Sequence, residues 1–273
     1  MSLQTPKAQA PDFLRHHLRT LPIHRTLVRS VEARLFWELD EELSEPILDV
    51  GCGDGTFAQI AFPTHHGAIV GIDPRPADVR EAHERGAYGV VMVADGSRIP
   101  CADAAFPTVI SNCVLEHVEP LDATLREVAR VLQPGGRFIT GVVGHHFPDM
   151  LLGTKLFGPR YGRWFNKISV HHNTFSPEGW TARFAAAGLE VESWHYYVSP
   201  AAVKLFDISH YYGAPSLLTR KLLGRWLLVP ALSPNRLWEP VLRKIYLAPP
   251  PAEGPYIFFK CRKPSSPVAG RST

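Results

Sequence analysis

The chain has 273 residues, of which 45% are hydrophobic and 20% charged, and this composition is that of a globular protein. Its formal net charge of +3 comes without a long run of lysine and arginine, so the charge does not predict a nucleic-acid partner. The four cysteines are scattered without a Cys-x-x-Cys pair, which argues against a zinc site or a disulfide framework and favours a reducing, cytoplasmic compartment.

The first part of the chain predicts helices rather than strands. Residues 1–10 are predicted to be disordered, and apolar residues then repeat at helical spacing over about 23–40. No apolar run reaches the 18 or more residues of a membrane-spanning helix.

Strands and helices alternate from residue 46 onward. Short apolar runs predict five strands, at about 46–50, 67–72, 90–94, 106–111 and 137–143. The third is predicted to be a buried strand. Helices are predicted between them, and the last of these begins at Pro120 and ends at Pro134-Gly135-Gly136. Such alternation predicts a parallel sheet with helices on both faces.

The second half of the chain continues this pattern with two long insertions. Ser176-Pro177-Glu178 is a helix start, because a hydroxyl at the N-cap precedes a proline and an acidic first turn. A sixth strand is predicted at 191–198 and a seventh at 255–261. The connections at 144–175 and 199–254 exceed the usual loop length and are interpreted as substrate-side insertions.

A glycine-dense turn follows the first strand and is the most informative motif. Asp49 precedes Gly51, Gly53 and Gly55 in a G-x-G-x-G pattern, and Asp73 ends the second strand. Glycines let the backbone approach a ligand closely, and a carboxylate at the second strand can accept hydrogen bonds from ribose hydroxyls. Carboxylates beside the turn repel a pyrophosphate but suit a cofactor with cationic groups.

This motif resembles that of the class I S-adenosyl-L-methionine-dependent methyltransferases, in the small-molecule group of the methyltransferase type 11 kind. The resemblance implies an α/β fold: a Rossmann-like, seven-stranded, mostly parallel sheet with an antiparallel last strand between the fifth and sixth. It also implies N-terminal cap helices at 1–45 and a methyltransferase domain at 46–263. Residues 264–273 are predicted to be a disordered tail.

The resemblance also implies roles for residues at later strand ends. Asp95 matches the acid that accepts from the adenine amine, and Gly96 provides the next backbone N–H. A helix cap is the alternative for Asp95. Asn112 lies in a Ser-Asn-Cys-Val-Leu-Glu-His run that resembles the fourth motif, where backbone carbonyls hold the cofactor's amino group. His117 of this run lines the methyl-transfer pocket or packs beneath it.

Methyl transfer to a hydroxyl gains from a general base near neutral pH, for which histidine is suited. His171 and His172, in the first insertion, are the predicted candidates, and His145 and His146 form a second adjacent pair. Apart from Asp149, no carboxylate lies within four residues of either pair, and no metal is predicted.

The second insertion interleaves basic residues with leucines and Trp226. Residues 215–247 therefore predict either a peripheral contact with an anionic membrane surface or a lid packed on the core.

The sequence thus predicts an S-adenosylmethionine-dependent methyltransferase for a small-molecule or lipid-linked acceptor, with a hydroxyl as the leading acceptor. Two alternatives remain: a non-catalytic partner subunit that binds the cofactor, and a nicotinamide-dependent oxidoreductase. The latter lacks support, because the third glycine of G-x-G-x-x-G is missing and the turn is flanked by acids. The oligomeric state is not predicted.

Overall fold

The computed structural model describes residues 10–223 and 234–265. Its seven strands are Ile47–Val50 (β1), Ile69–Asp73 (β2), Val90–Val93 (β3), Phe106–Asn112 (β4), Leu132–Val143 (β5), Glu190–Tyr196 (β6) and Tyr256–Arg262 (β7). They form one sheet in the order β3-β2-β1-β4-β5-β7-β6. Strand β7 is antiparallel to both β5 and β6, and the other neighbours are parallel. The predicted fold class is confirmed.

Helices cover both faces of this sheet. They are Phe13–Thr20 (α1), Ile23–Trp37 (α2), Thr56–Ala61 (α3), Pro76–Arg85 (α4), Leu121–Val131 (α5), Phe147–Met150 (α6), Leu152–Phe157 (α7), Pro159–Ile168 (α8), Pro177–Ala186 (α9), Pro200–Leu223 (α10) and Glu239–Tyr246 (α11). One large apolar cluster joins α2, α3 and α10 to one face, and a second joins α5 and α9 to the other. The predicted N-cap of α9 is present, since Ser176 Oγ accepts the Gly179 N–H at 3.2 Å.

Three local predictions were wrong. Strand β3 is an exposed edge strand and not a buried one, because only β2 pairs with it and Val90 and Val93 face solvent. Strand β5 begins at Leu132, since the Pro-Gly-Gly turn lies inside the strand as a register irregularity against β4. Helix α1 was missed, although its N-cap Asp12 accepts the Arg15 N–H at 3.0 Å.

The two insertions build a helical cap over one end of the sheet. The first contains α6, α7 and α8, and the second contains α10 and α11. Helix α10 packs against both α2 and α7, so the N-terminal helices and the two insertions form one covering layer.

The predicted membrane segment 215–247 and the predicted tail 264–273 lie partly outside the described residues. The same is true of the N-terminal disorder prediction, whose residues 1–9 are not described. Within 10–223 and 234–265, no helix combines the length and the apolar character that crossing a membrane requires.

Candidate active site

The glycine turn between β1 and α3 has the backbone shape that its sequence predicts. Gly51, Gly53 and Gly55 have φ values of +83°, +53° and +78°, which non-glycine residues rarely adopt. A Cβ atom at Gly51 would lie 2.4 Å from the Val114 side chain, whereas one at Gly53 would meet nothing within 4 Å. The turn is therefore packed against the segment after β4 at Gly51 and open to a ligand at Gly53.

Asp73 lies beside the open part of this turn. Its Oδ2 accepts the Gly53 N–H at 3.1 Å and its Oδ1 accepts the Arg75 N–H at 2.9 Å. Each carboxylate oxygen has a further lone pair for a ligand hydroxyl. The structure thus brings the predicted ribose-binding acid to the predicted turn.

Asp49 has a different environment, because it is buried beneath the turn. Tyr88 Oη donates to Asp49 Oδ2 at 2.7 Å. Burial, opposed by this hydrogen bond and assisted by the charge of Asp73, raises the pKa of Asp49 to about 7. Asp49 is thus held by Tyr88 inside the fold, and its contact with the cofactor stays a prediction.

Asp95 and Gly96 follow the exposed edge strand β3. The Asp95 carboxylate accepts the Ser97 N–H at 2.8 Å, and this hydrogen bond lowers its pKa. Both the capping role and the adenine role of Asp95 are compatible with this geometry. Gly96 packs closely, since a Cβ there would lie 3.0 Å from Thr124 Cγ2.

A buried carboxylate that sequence reasoning missed organises the end of β4. Glu32 of α2 accepts from Arg29 Nη1 at 2.7 Å, Asn112 Nδ2 at 3.1 Å, Cys113 Sγ at 3.0 Å and Tyr197 Oη at 3.1 Å. The sequence signal was the single acid of α2, which shares one helix face with Val28, Arg25 and Arg29. Buried charges are rare unless they are paired, so such an acid indicates a polar cluster.

Backbone strain also occurs at the end of β4. Cys113 has φ +53°, a costly conformation for a residue with a side chain. The Asn112 Oδ1 atom is buried, and no described residue hydrogen-bonds to it. A strained residue and an unpartnered oxygen therefore adjoin at the carboxyl end of β4, where ligands bind in open α/β sheets.

A cavity of about 260 Å³ opens on the other side of this segment from the glycine turn. Helix α2, the segment after β4, the segment after α8 and helix α10 supply most of its wall. Its lining residues are His24, Arg25, Val28, Arg29, Glu32, Cys113, Glu116, His117, Val143, Ser169, His171, Phe206, His210 and Tyr256. The cavity is thus rich in ionisable side chains.

The structure separates the two predicted bases. His171 lines the cavity and its ring centroid lies 5.2 Å from that of His117. His172 does not line it: its side chain is 40% exposed and its Nε2 lies 3.8 Å from Glu119 Oε1. Consecutive residues of an irregular segment point in different directions, and spacing alone could not choose between them. His145 stacks on His146, with ring centroids 3.8 Å apart, and neither lines the cavity.

The cavity histidines are neutral at pH 7. Burial lowers the pKa of His171 to about 3 and also lowers that of His117. The Nδ1 atoms of His117 and His171 lie 3.0 Å from the Val170 carbonyl and 2.9 Å from Asn166 Oδ1 respectively, which assigns the proton to Nδ1 and leaves Nε2 as an acceptor. Among the described residues there is no group of three or more side chains that could hold a metal ion.

Glu116 is the other buried acid of the cavity. Its side chain is 1% exposed, and no described residue hydrogen-bonds to its Oε2. Burial raises its pKa to about 8, so the carboxyl group is protonated at pH 7.

The variant Glu116→Gln should therefore change how stability depends on pH. A raised pKa means that the folded protein holds a proton which the unfolded chain releases, so Glu116 makes stability fall between pH 4.5 and about 8. The loss reaches about 1.4 kcal/mol per pH unit within that window. Glutamine stays neutral, so the stability of the variant relative to the wild type should rise with pH.

Urea unfolding of both proteins across this window measures that difference. Cavity histidines of lowered pKa give a trend of opposite sign below pH 6.5, but they are common to both proteins and cancel. A difference that is constant with pH would contradict the burial of a neutral Glu116.

Comparisons with known proteins match this geometry. Residues 48–140 match the family model of a methyltransferase domain. A malonyl-(acyl-carrier protein) O-methyltransferase from Methylococcus capsulatus is 33% identical over 102 residues, which cover 36% of this chain and 37% of that protein. Strands β2 to β4, most of β1 and the glycine turn lie within residues 48–140. The chain has a class I methyltransferase fold.

Solved structures extend the methyltransferase likeness beyond the matched segment, at the level of the fold. The geranyl diphosphate C-methyltransferase from Streptomyces coelicolor, solved with S-adenosyl-L-homocysteine, has a TM-score of 0.53 at 16% identity, covering 88% of this chain and 83% of its own. The (4+2)-cyclase SpnF has a TM-score of 0.54 at 23% identity, covering 86% and 82%. The matched methyltransferase domain supports the prediction that the cofactor is S-adenosyl-L-methionine. It gives no support to a nicotinamide cofactor.

The matched segment spans well under half the length of the malonyl-(acyl-carrier protein) O-methyltransferase. Residues 48–140, which match the family model, contain the glycine turn and the ends of the first strands. They do not contain α2, α8 or α10, which form much of the cavity wall. The likeness therefore covers the cofactor side of the site and leaves the acceptor side to this chain's own residues.

Proposed function

We propose that this protein transfers the methyl group of S-adenosyl-L-methionine to an oxygen atom of a small-molecule or lipid-linked acceptor. The observation that carries the proposal is the position of the cavity. It adjoins the segment Asn112–Val114, which also packs on the glycine turn, since Cys113 lines the cavity and Val114 contacts Gly51. A cofactor on one side and an acceptor on the other would meet at this segment.

The residues on the turn side fit the cofactor. The backbone at Gly53 is open and Asp73 offers acceptors for ribose hydroxyls, while backbone carbonyls near Asn112 would hold the ammonium group. Asp95 and Gly96 would face the adenine. When bound, the cofactor supplies an electrophilic methyl group on a sulfonium, and the protein holds the acceptor in line with it in a dry cavity.

The guanidinium groups of Arg25 and Arg29 suit an anionic acceptor. Glu32 pairs with Arg29 at 2.7 Å and the charge of Asp54 acts on Arg25, so an acceptor carboxylate would share these two cations with acids of the protein. The protonated Glu116 and the neutral histidines add no negative charge that would repel it. Guanidinium groups also match the two oxygens of a carboxylate.

The weak basicity of the histidines supports the same choice. A hydroxyl acceptor must lose a proton, and a general base works best when its pKa is near the operating pH. His171, with a pKa of about 3, is far below that range, and burial lowers the pKa of His117 as well. A carboxylate needs no base, so we favour it over the hydroxyl predicted from the sequence; His171 and His117 remain the candidates if the acceptor is a hydroxyl.

Transfer of a labelled methyl group tests the acceptor class. The protein is incubated with methyl-labelled S-adenosylmethionine and matched pairs of medium-chain carboxylic acids and the corresponding alcohols. We expect label only with the acids, and alkali should release it as volatile methanol, because a methyl ester hydrolyses whereas an ether does not.

Other outcomes would redirect the assignment. Alkali-stable label on the alcohols would establish a hydroxyl acceptor. Cofactor binding without transfer to either class, in a folded protein, would favour the alternative of a non-catalytic partner subunit.

A further inference from the structure

The outer face of α8 is unusual for a surface helix. Apart from Pro159 in the first turn, its exposed positions follow one stripe at helical spacing and are basic or large and apolar: Arg160, Arg163, Trp164, Lys167 and Ile168. The opposite side buries Gly162 and Phe165 against the cap. The helix therefore packs one face against the protein and exposes a second face that carries both basic and large apolar side chains.

The end of α7 extends this face. Lys155 is exposed there, together with Leu156 and Phe157, whose exposed fractions are 65% and 72%. The ring of Phe157 lies 6.0 Å from that of Tyr161, which in turn lies 5.6 Å from Trp164, so the two helices present a continuous surface. The cap face is defined here by eight exposed residues: Lys155, Leu156, Phe157, Arg160, Arg163, Trp164, Lys167 and Ile168.

Charge decides what this face binds. Residues 151–170 contain four basic residues and no aspartate or glutamate. Long basic side chains can reach lipid phosphates while aromatic and aliphatic side chains enter the boundary between headgroups and acyl chains. We propose that the cap face docks on an anionic lipid surface.

A second exposed apolar region fits this role less well. Trp238 and Val241, beside and within α11, are also exposed. Arg243 there is engaged with acids, since it pairs with both Asp12 at 2.8 Å and Glu239 at 2.7 Å. That surface carries both signs of charge. The docking surface proposed here is therefore the cap face of the first insertion, whereas the sequence predicted membrane contact at 215–247, a segment that lies partly outside the described residues.

The cap face is joined to the acceptor cavity. Ser169 and His171, directly after α8, line the cavity. Tyr161 of α8 hydrogen-bonds to Asp207 of α10, and its hydroxyl lies 2.6 Å from that of Tyr211. Helix α10 contributes Phe206 and His210 to the cavity wall. If the proposed function holds, docking would bring the cavity to the lipid surface and would suit an acceptor with an acyl or isoprenoid chain.

Cosedimentation with vesicles tests the docking without cofactor or acceptor, so its result is independent of methyl transfer. The vesicles contain phosphatidylcholine alone or phosphatidylcholine with phosphatidylglycerol. We expect the protein to pellet with the anionic vesicles only, and added salt to weaken the binding. Removing two cations in Arg160→Gln/Arg163→Gln should lower the partition coefficient about 25-fold, at about fivefold for each charge.

Matched variants separate docking from general effects of charge and hydrophobicity. Phe157→Ser/Trp164→Ser, which removes two exposed aromatic side chains of the cap face, should also reduce pelleting. Arg80→Gln/Arg126→Gln removes two exposed cations elsewhere, and Trp194→Ser removes an exposed tryptophan of β6; both should pellet like the wild type. Circular dichroism confirms that each variant is folded.

Two results would overturn the proposal. One is a wild-type protein that stays in the supernatant with anionic vesicles, including the case in which it binds an acidic acyl carrier protein instead. The other is a pair of folded cap-face variants that pellet as the wild type does.

Discussion

Replacing Glu32 by glutamine is expected to destabilise the protein by about 3 kcal/mol and to disturb the end of β4. The carboxylate accepts from Arg29, Asn112, Cys113 and Tyr197, and glutamine cannot neutralise the guanidinium. Breaking a buried ion pair costs about 3–5 kcal/mol. The low end applies because the Arg29 side chain remains 29% exposed while that of Glu32 is 1% exposed.

Urea unfolding measures this effect, and Glu38→Gln is its control. Glu38 follows the same helix and pairs with Arg34 at 3.8 Å, but its side chain is 54% exposed, so its loss should cost less than about 1 kcal/mol. The double variant Arg29→Met/Glu32→Gln should recover part of the stability, since no unpaired guanidinium remains. Equal effects of Glu32→Gln and Glu38→Gln would contradict the central role of Glu32.

Replacing Asp73 by asparagine is expected to weaken the binding of S-adenosyl-L-homocysteine by about fivefold to a hundredfold. One of its two carboxylate oxygens becomes an amide that cannot accept a hydrogen bond from a ribose hydroxyl. An unpaired polar group of this kind costs about 1–3 kcal/mol. Calorimetric titration of the variant and the wild type gives the ratio of dissociation constants.

The control separates ligand binding from support of the turn. Asp73 also accepts the Gly53 N–H, so the melting temperature of each variant is measured alongside the titration. Asp103→Asn removes a carboxylate that is 80% exposed and pairs with Arg130, away from the turn, and should leave binding unchanged. A folded Asp73→Asn protein with wild-type affinity would contradict the ribose assignment.

The sequence predicted the sheet well because its signals are local. Short apolar runs separated by helix caps and glycine turns specify βα units, whereas the position of β7 was implied by the resemblance to class I methyltransferases. The start of β5 was wrong because Pro134-Gly135-Gly136 is a strong local breaker, whereas pairing with β4 and β7 overrides it in the fold. Edge exposure of β3 also depends on which strands pair, which apolar content alone does not show.

The two sides of the site differ in how far the sequence could predict them. The turn and Asp73 come together because neighbouring parallel strands end at the same edge of the sheet. The cavity instead gathers α2, the segment after α8 and α10, which are far apart in the sequence. Glu32 meets Asn112 across 80 residues, and the choice of His171 over His172 depends on the direction of one irregular segment.

Calorimetric titration of the purified protein with S-adenosyl-L-homocysteine, with NAD as a competitor, tests the central claim most directly. The claim is that the open turn beside Asp73 binds a sulfonium cofactor at the end of β4. Micromolar binding that NAD does not displace is the predicted result. A folded protein that binds no S-adenosyl-L-homocysteine, or one from which NAD displaces it, would contradict the assignment of this site.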